Sequence, residues 1–126
     1  MILLTGGSGL VGSHLLLELM RRGKSVRALR RAGSQTGLVR RLFEWYEPER
    51  GAELFDRIEW VEGDVNDVLG MQDLLQDVEE VCHCAAMVSF LPADRHAMMK
   101  VNVDGTANLV NASLRAGIKK FCHTSS

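Results

Sequence analysis

The chain has 126 residues, of which 46% are hydrophobic and 25% are charged, so it is long enough for one hydrophobic core and too short for two domains. Its formal net charge of −1 excludes a positive field for wrapping nucleic acid, and no apolar stretch reaches the roughly 20 residues of a membrane helix. The N-terminus also lacks the basic region and cleavage site of a signal peptide, so we expect a cytoplasmic protein without a nucleic-acid or membrane partner.

The first predicted elements are a strand, a glycine turn and a helix. Residues 1–4 are apolar, residues 5–12 read TGGSGLVG, and a helical pattern follows at 15–20. Gly6 allows the backbone angles of a sharp turn, Gly9 lets the main chain approach a pyrophosphate without a Cβ, and Gly12 lets the helix pack closely. The free N–H groups at the helix start then face an anion. This context predicts a dinucleotide site, and an ordinary surface turn is the alternative.

Four more strands are predicted, at residues 24–29, 57–62, 80–86 and 119–124. The helical segments between them are 38–46 and 52–55, then 67–78 with Asp67 as N-cap, then 93–116 ended by Gly117. This alternation predicts an α/β fold with a doubly wound parallel sheet (Rossmann) in the order 3-2-1-4-5. The ligand crevice lies at the C-terminal ends of strands one and four. No linker divides the chain, so residues 1–126 form one dinucleotide-binding domain.

Two arginines follow the second strand, about 20 residues past the glycine turn, where the adenosine ribose lies in such folds. An acidic side chain there would bind the 2′-hydroxyl of NAD, but this chain has Arg30 and Arg31. A guanidinium binds a 2′-phosphate through bidentate, charge-assisted hydrogen bonds. The pair therefore favours NADP over NAD, and a solvated surface is the alternative.

Two other strand ends supply candidate residues. Asp64 follows the third strand, where it can accept a hydrogen bond from the adenine amino group while Val65 lies against the ring; a turn-forming role is the alternative. Ala85, Ala86 and Met87 follow the fourth strand, where a nicotinamide ribose would come close to the backbone. Ordinary packing is the alternative there.

The cysteines and histidines lack the spacing of a metal site. Cys82, Cys84 and Cys122 lie in apolar, strand-like runs, which predicts buried free thiols without a disulfide framework. Strand alternation sends His83 to the opposite face from its cysteine neighbours, and no C-x-x-C occurs. We therefore expect no metal.

Five segments follow one another along the chain in an informative order: TGGSGLVGSHL at 5–15, GDV at 63–65, HCAA at 83–86, NVDGTAN at 102–108 and HTSS at 123–126. In this order they resemble the extended short-chain dehydrogenases/reductases of the NAD(P)-dependent epimerase/dehydratase superfamily. Within that superfamily, VRALRR at 26–31 is most similar to the dihydroflavonol reductase-like branch, which uses NADP. The resemblance spans the whole chain.

The resemblance implies a role for each matching residue. The pyrophosphate would be held by Gly6, Gly9, Leu10, Val11 and Gly12, the 2′-phosphate by Arg31 with Arg30, the adenine by Asp64 and Val65, and the nicotinamide side by Ala85, Ala86 and Met87. Asn102 would brace the site around strand four, and a helix-to-strand hydrogen bond is the alternative. Ser126, with Ser125 as the near alternative, would be the catalytic serine that hydrogen-bonds the oxygen of a carbonyl or alcohol substrate.

The same family uses a tyrosine with a lysine four residues later, a pair expected beyond Ser126. The only tyrosine, Tyr46, is followed at that spacing by Arg50 and precedes the third strand. We therefore interpret residues 1–126 as the N-terminal part of a longer enzyme, truncated after strand five and inactive alone.

Three functions stay open at this stage. The leading interpretation is an NADP-dependent oxidoreductase that interconverts a ketone and a secondary alcohol by hydride transfer. A nucleotide-sugar epimerase or dehydratase using NAD is the second, and Arg30 and Arg31 argue against it. A non-catalytic dinucleotide-sensing module is the third. The complete protein is expected to form a homodimer, and the exposed side of strand five predicts self-association of this part alone.

Overall fold

A five-stranded parallel sheet forms the centre of the protein in a computed structural model that describes residues 1–125. Its strands are β1 (Ile2–Thr5), β2 (Val26–Arg30), β3 (Glu59–Glu62), β4 (Glu80–His83) and β5 (Lys120–His123). Their order is β3-β2-β1-β4-β5, which confirms the predicted topology. Thr5 is in register with Leu29 on one side and His83 on the other, so β1, β2 and β4 end at the same edge of the sheet.

Six α-helices connect the strands: α1 (Leu10–Arg21), α2 (Gly37–Tyr46), α3 (Gly51–Asp56), α4 (Met71–Leu74), α5 (Arg95–Met99) and α6 (Thr106–Ala116). A 3₁₀ turn, Pro92–Asp94, precedes α5, and a π-helical segment, Lys100–Gly105, joins α5 to α6. The predicted helix 93–116 is therefore made of four consecutive helical segments, from the 3₁₀ turn to α6. Gly117 ends the last of them with a φ of 71°. Within residues 1–125, none of the helices has both the length and the apolar character that a membrane crossing requires.

Alternating side chains of the strands supply two hydrophobic cores, one on each face of the sheet. Leu4 packs on the face that is covered by α1, α2 and α3, together with Leu16, Phe43 and Leu54. Leu3 packs on the other face, together with Met71 and Leu109 of α4 and α6. All of these side chains are at most 1% exposed. Burial on both faces fixes the sheet, and hence the positions of the strand ends.

The predicted helix 67–78 is wrong in its extent. The carboxylate of Asp67 accepts a hydrogen bond from the N–H of Gly70 at 3.1 Å and closes a turn there, so α4 begins only at Met71. Asp and Gly both favour such turns over helix. At the other end, Asp77 adopts a φ of 64°, which is incompatible with continued helix.

The prediction of buried thiols is also wrong in part. Cys82 and Cys84 are half-buried, while Cys122 is exposed because β5 is the edge strand and only Phe121 among its side chains is partly covered. All three thiols are free. Burial, together with the nearby thiols of Cys122 and Cys84, raises the pKa of Cys82 to about 11.

Candidate functional site

A cleft opens at the edge of the sheet where β1, β2 and β4 end. The predicted residues that line it are Gly6, Gly9, Arg30, Arg31, Asp64, Val65, Ala85 and Ala86. They come from four separate stretches of chain, which the parallel sheet brings to one place. The lining also contains seven residues that the sequence analysis did not assign to the site, namely Thr5, Ser8, Leu29, Ser34, Gly63, Cys84 and Val101.

The glycine turn forms one wall of this cleft. Gly6 has a φ of 74°, and a Cβ added to it would lie 2.5 Å from the carbonyl carbon of Cys84. A Cβ on Gly12 would collide with the carbonyl oxygen of Gly6. A Cβ on Gly9 would make only an ordinary contact of 3.4 Å with that oxygen. The fold therefore requires Gly6 and Gly12, whereas Gly9 leaves bare backbone facing the cleft, as a bound pyrophosphate would need.

Helix α1 begins directly after the turn. Its first main-chain hydrogen bond runs from Ser13 N to Gly9 O at 2.9 Å, so the N–H groups of Leu10, Val11 and Gly12 lie before it. The side chains of Leu10 and Val11 are 79% and 54% exposed and do not line the cleft. These two residues can therefore serve an anion only through their main-chain N–H groups.

The end of β2 brings two cations to the cleft. Arg31 is exposed, and Arg30 donates a hydrogen bond to the carbonyl oxygen of Ser34 at 3.3 Å. The guanidinium of Arg30 also lies 3.6 Å from the carboxylate of Glu62, which offsets part of its charge. Arg31 is thus the arginine with fewer competing contacts in the described residues, and Ser34 adds a hydroxyl to the same part of the lining.

Asp64 and Val65 follow β3 and line the cleft. One carboxylate oxygen of Asp64 accepts a hydrogen bond from the N–H of Asn66 at 2.9 Å, so the residue forms a turn as well as lining the cleft. The side chain of Val65 is 6% exposed and packs in the core, where a Cβ on Gly105 would lie 2.6 Å from its Cγ2. Val65 therefore joins the cleft to the helical segment behind it.

Asn102 holds the chain that leaves β4. Its Oδ1 accepts a hydrogen bond from Met87 N and its Nδ2 donates one to Met87 O, both at 2.8 Å. Asn102 belongs to the π-helical segment, next to Val101 in the cleft lining. Met87 itself does not line the cleft, and neither does Ser125, which is exposed. Ser126 lies outside the described residues.

A buried hydrogen-bonded chain lies beneath the cleft. Thr5 Oγ1 and His83 Nδ1 are 2.6 Å apart, and His83 Nε2 is 2.8 Å from Thr106 Oγ1. Burial, together with the charge of His123, whose ring stacks on His83 at 5.3 Å between ring centroids, lowers the pKa of His83 to about 4. Sequence analysis missed this pairing. The signal that could have indicated it is that Thr5 and His83 are polar side chains in apolar strands, because buried polar groups need hydrogen-bond partners.

Residues 1–125 contain no group of three or more histidine, cysteine or carboxylate side chains placed to hold a metal ion. The polar groups at the cleft are instead main-chain N–H groups, hydroxyls, one carboxylate and two guanidinium groups. This set suits a ligand that carries phosphates and ribose hydroxyls.

Comparison with known families agrees with this geometry. The sequence model of the NAD dependent epimerase/dehydratase family matches residues 2–126. The chain belongs to this family. The match confirms the resemblance to the epimerase/dehydratase superfamily that the five sequence segments indicated.

Individual members of the family show similar sequences. A putative dihydroflavonol 4-reductase from Synechocystis sp. is 35% identical over 122 residues, covering 97% of this chain and 31% of the relative. A UDP-glucose 4-epimerase from Klebsiella pneumoniae is 34% identical over 129 residues, covering 99% of this chain and 88% of the relative. The family thus includes similar members named for two different reactions.

A solved structure shows the same fold. It is a short-chain dehydrogenase/reductase superfamily protein from Agrobacterium tumefaciens with bound NAD, 31% identical, with a TM-score of 0.74. The alignment covers 99% of this chain and 32% of that protein. This member of the epimerase/dehydratase family therefore spans about a third of the length of the Agrobacterium protein and 31% of the length of the Synechocystis relative.

Proposed function

We propose that the cleft binds NADP(H) and that the chain is the cofactor-binding part of an oxidoreductase that interconverts a ketone and a secondary alcohol by hydride transfer. The observation that carries the proposal is the pair Arg30 and Arg31 at the end of β2, inside the lining of the cleft. Two guanidinium groups at the adenosine end of such a site suit a 2′-phosphate. Family membership supports the dinucleotide itself.

Each part of the lining has a task in this proposal. The bare backbone at Gly9 and the N–H groups at the start of α1 receive the pyrophosphate, and Arg31, assisted by Arg30, binds the 2′-phosphate. Asp64 accepts a hydrogen bond from adenine, and Ala85 and Ala86 let the nicotinamide side approach the end of β4. The bound cofactor supplies or accepts the hydride. Orientation of the substrate oxygen by Ser126, or by Ser125, stays a prediction.

An epimerase or dehydratase that uses NAD is the second candidate. The Klebsiella relative favours it, and so does the carboxylate of Glu62, which lies 3.6 Å from Arg30 near the end of β2 and weakens the local positive charge. The two candidates predict opposite cofactor preferences, so one binding experiment separates them.

Fluorescence titration of the chain with NADPH and with NADH tests the proposal. Wild type should prefer NADPH, and Arg31→Asp should lose roughly ten- to hundred-fold in NADPH affinity, because a hydrogen bond to a charged group contributes about 1.5–3 kcal/mol. Arg41→Asp makes the same charge change on the exposed side of α2, outside the cleft lining, and should leave the preference intact. Equal binding of NADH and NADPH by wild type would show that the assignment of the arginines is wrong.

A further inference from the structure

Three cysteines lie on one face of two neighbouring strands. Cys82 of β4 is in register with Cys122 of β5, and the strands are parallel, so the two side chains leave the sheet on the same face. Cys84 follows Cys82 by two residues and shares that face, where its Sγ lies 3.3 Å from Thr124 Oγ1. The side chain opposite Cys82 is therefore a second thiol, whereas the side chain next to Cys84 on β5 is a hydroxyl.

The pair Cys82 and Cys122 has a spacing at which a disulfide can form and break. Neighbouring strands lie about 4.7–4.9 Å apart, which is within the Cα separation of roughly 4.4–6.8 Å that disulfides require. A relaxed disulfide also needs its Cβ atoms about 3.8 Å apart, whereas parallel side chains in register keep them near the strand spacing. Closing the bond therefore draws the two strands together by about 1 Å, and a disulfide strained in this way is readily reduced.

The two thiols differ in their access to solvent and in their acidity. Cys122 is exposed on the edge strand, so a dissolved reagent reaches it. Cys82 is half-buried at the margin of the core that contains Leu4, and burial with the neighbouring thiols raises its pKa to about 11. At neutral pH Cys82 is thus protonated and does not begin an exchange reaction. Cys122 is the residue that attacks first, and Cys82 is the one that closes the bond.

Exchange with oxidised glutathione supplies the two electron equivalents that the bond requires. Cys122 loses its proton to solvent, attacks one sulfur of glutathione disulfide and forms a mixed disulfide, while one glutathione thiolate leaves and is protonated. Cys82 then loses its proton and attacks the Cys122 sulfur, which releases the second glutathione. Two protein thiols are oxidised to one disulfide, and one glutathione disulfide is reduced to two thiols. An excess of reduced glutathione reverses both steps.

Strand β4 carries this change to the cleft. Cys84 and Ala85 follow Cys82 by two and three residues and line the cleft. A Cβ on Gly6 would lie 2.5 Å from the carbonyl carbon of Cys84 and 2.6 Å from Ala85 N, so the glycine turn is in close contact with this wall. The sheet order places β5 on the side of β4 away from β1. A pull on β4 towards β5 therefore opens the contact with the glycine turn and shifts one wall of the cleft.

We propose that Cys82 and Cys122 are a modification site, at which a reversible disulfide weakens binding of the dinucleotide. The reactant is a low-molecular-weight disulfide such as oxidised glutathione. The bond itself does not depend on the proposed function, whereas its effect on binding rests on that function for the ligand. Because coupling between two sites is reciprocal, a bound dinucleotide must in turn favour the dithiol form.

Glutathione buffers of graded redox ratio test the bond without any ligand. After alkylation of the free thiols, oxidised wild type should be a monomer with Cys84 as its one alkylated cysteine and with Cys82 linked to Cys122. Cys84→Ser keeps both partners and should form the same bond, whereas Cys122→Ser, a change at an exposed position, should form none. Three alkylated cysteines at every ratio, a mixed disulfide that persists at Cys122, or a disulfide between two chains would overturn the inference.

Titration with NADP⁺ tests the effect on the cleft. Oxidised wild type should bind NADP⁺ about five-fold or more weakly than the reduced form, and saturating NADP⁺ should move the glutathione ratio at half-oxidation by the same factor. Cys122→Ser should bind like reduced wild type. Equal affinity of the oxidised and reduced forms would overturn the inference and leave the proposed function standing. If reduced wild type binds no dinucleotide, the proposed function fails, and the ligand-free measurement alone supports or overturns the disulfide.

Discussion

His83 is a titratable side chain with no access to solvent, at the centre of the hydrogen bonds that join β1, β4 and α6. A charged ring in this place would lose its hydration, and it would also face His123. The folded protein therefore holds the ring neutral well below the ordinary pKa of histidine. The unfolded chain does not, and this difference connects one residue to the pH dependence of folding.

The fold should lose stability as the pH falls from about 6.5 towards 4. In that window the unfolded chain takes up a proton at residue 83 and the folded chain does not, because the pKa of His83 is lowered to about 4. The stabilisation is fully present above pH 6.5, and its loss is at most about 3 kcal/mol. Urea unfolding at several pH values, with NMR titration of the ring, measures it.

His123→Gln provides the comparison for this prediction. Removal of the stacked ring's charge should raise the pKa of His83 and make the loss of stability on acidification smaller. A His83 ring that titrates near 6.5 in wild type would contradict the account of its burial.

The π-helical segment between α5 and α6 is the element that serves the cleft most directly. It carries Val101, which lines the cleft, and Asn102, which binds both main-chain groups of Met87. It ends at Gly105, where the helix lies so close to Val65 that no Cβ fits without movement. The extra residue per turn of a π-helix is a common way to aim side chains at a site.

Gly105→Ala should destabilise the protein by about 1–3 kcal/mol, because the added methyl group would overlap the buried side chain of Val65. Gly37→Ala is the matched control. Gly37 is the exposed first residue of α2 with open space where a Cβ would lie, so the same change there should stabilise by about 0.4–1 kcal/mol. Thermal unfolding of both variants checks the pair, and equal effects of the two substitutions would contradict the close approach at Gly105.

Most elements could be predicted from the sequence because their signals are local. Apolar runs of strand length, separated by segments of helical period, determine the five strands, and the right-handed crossover rule then leaves the observed order. The errors arose where two local signals compete. Asp67 resembles a helix cap, but together with Gly70 it forms a turn instead. The π-helical segment has no distinct sequence pattern, since the spacing of its apolar residues also fits an α-helix.

At the scale of the whole molecule, the predictable part of the cleft is the glycine turn and the residues that follow the predicted strands. Gly6 and Gly9 were found from the turn, and the other predicted lining residues from strand ends: Arg30, Arg31, Asp64, Val65, Ala85 and Ala86. The cluster of Thr5, His83 and Thr106 was missed because its members are 78 and 23 residues apart and meet only once the sheet is assembled. Pairing of that kind follows from strand register, which the sequence alone does not specify.

The cleft collects the ends of four strands, β1 to β4, and it is the proposed NADP site. The most direct test is a titration of the ¹⁵N-labelled protein with NADP⁺, followed by amide chemical shifts. The account predicts that the largest changes fall on residues 6–12, 30–34, 64 and 85–86, which lie at or beside the cleft. Changes confined to another surface, such as the groove between α4 and α6 at Leu75 and Ala112, would contradict it.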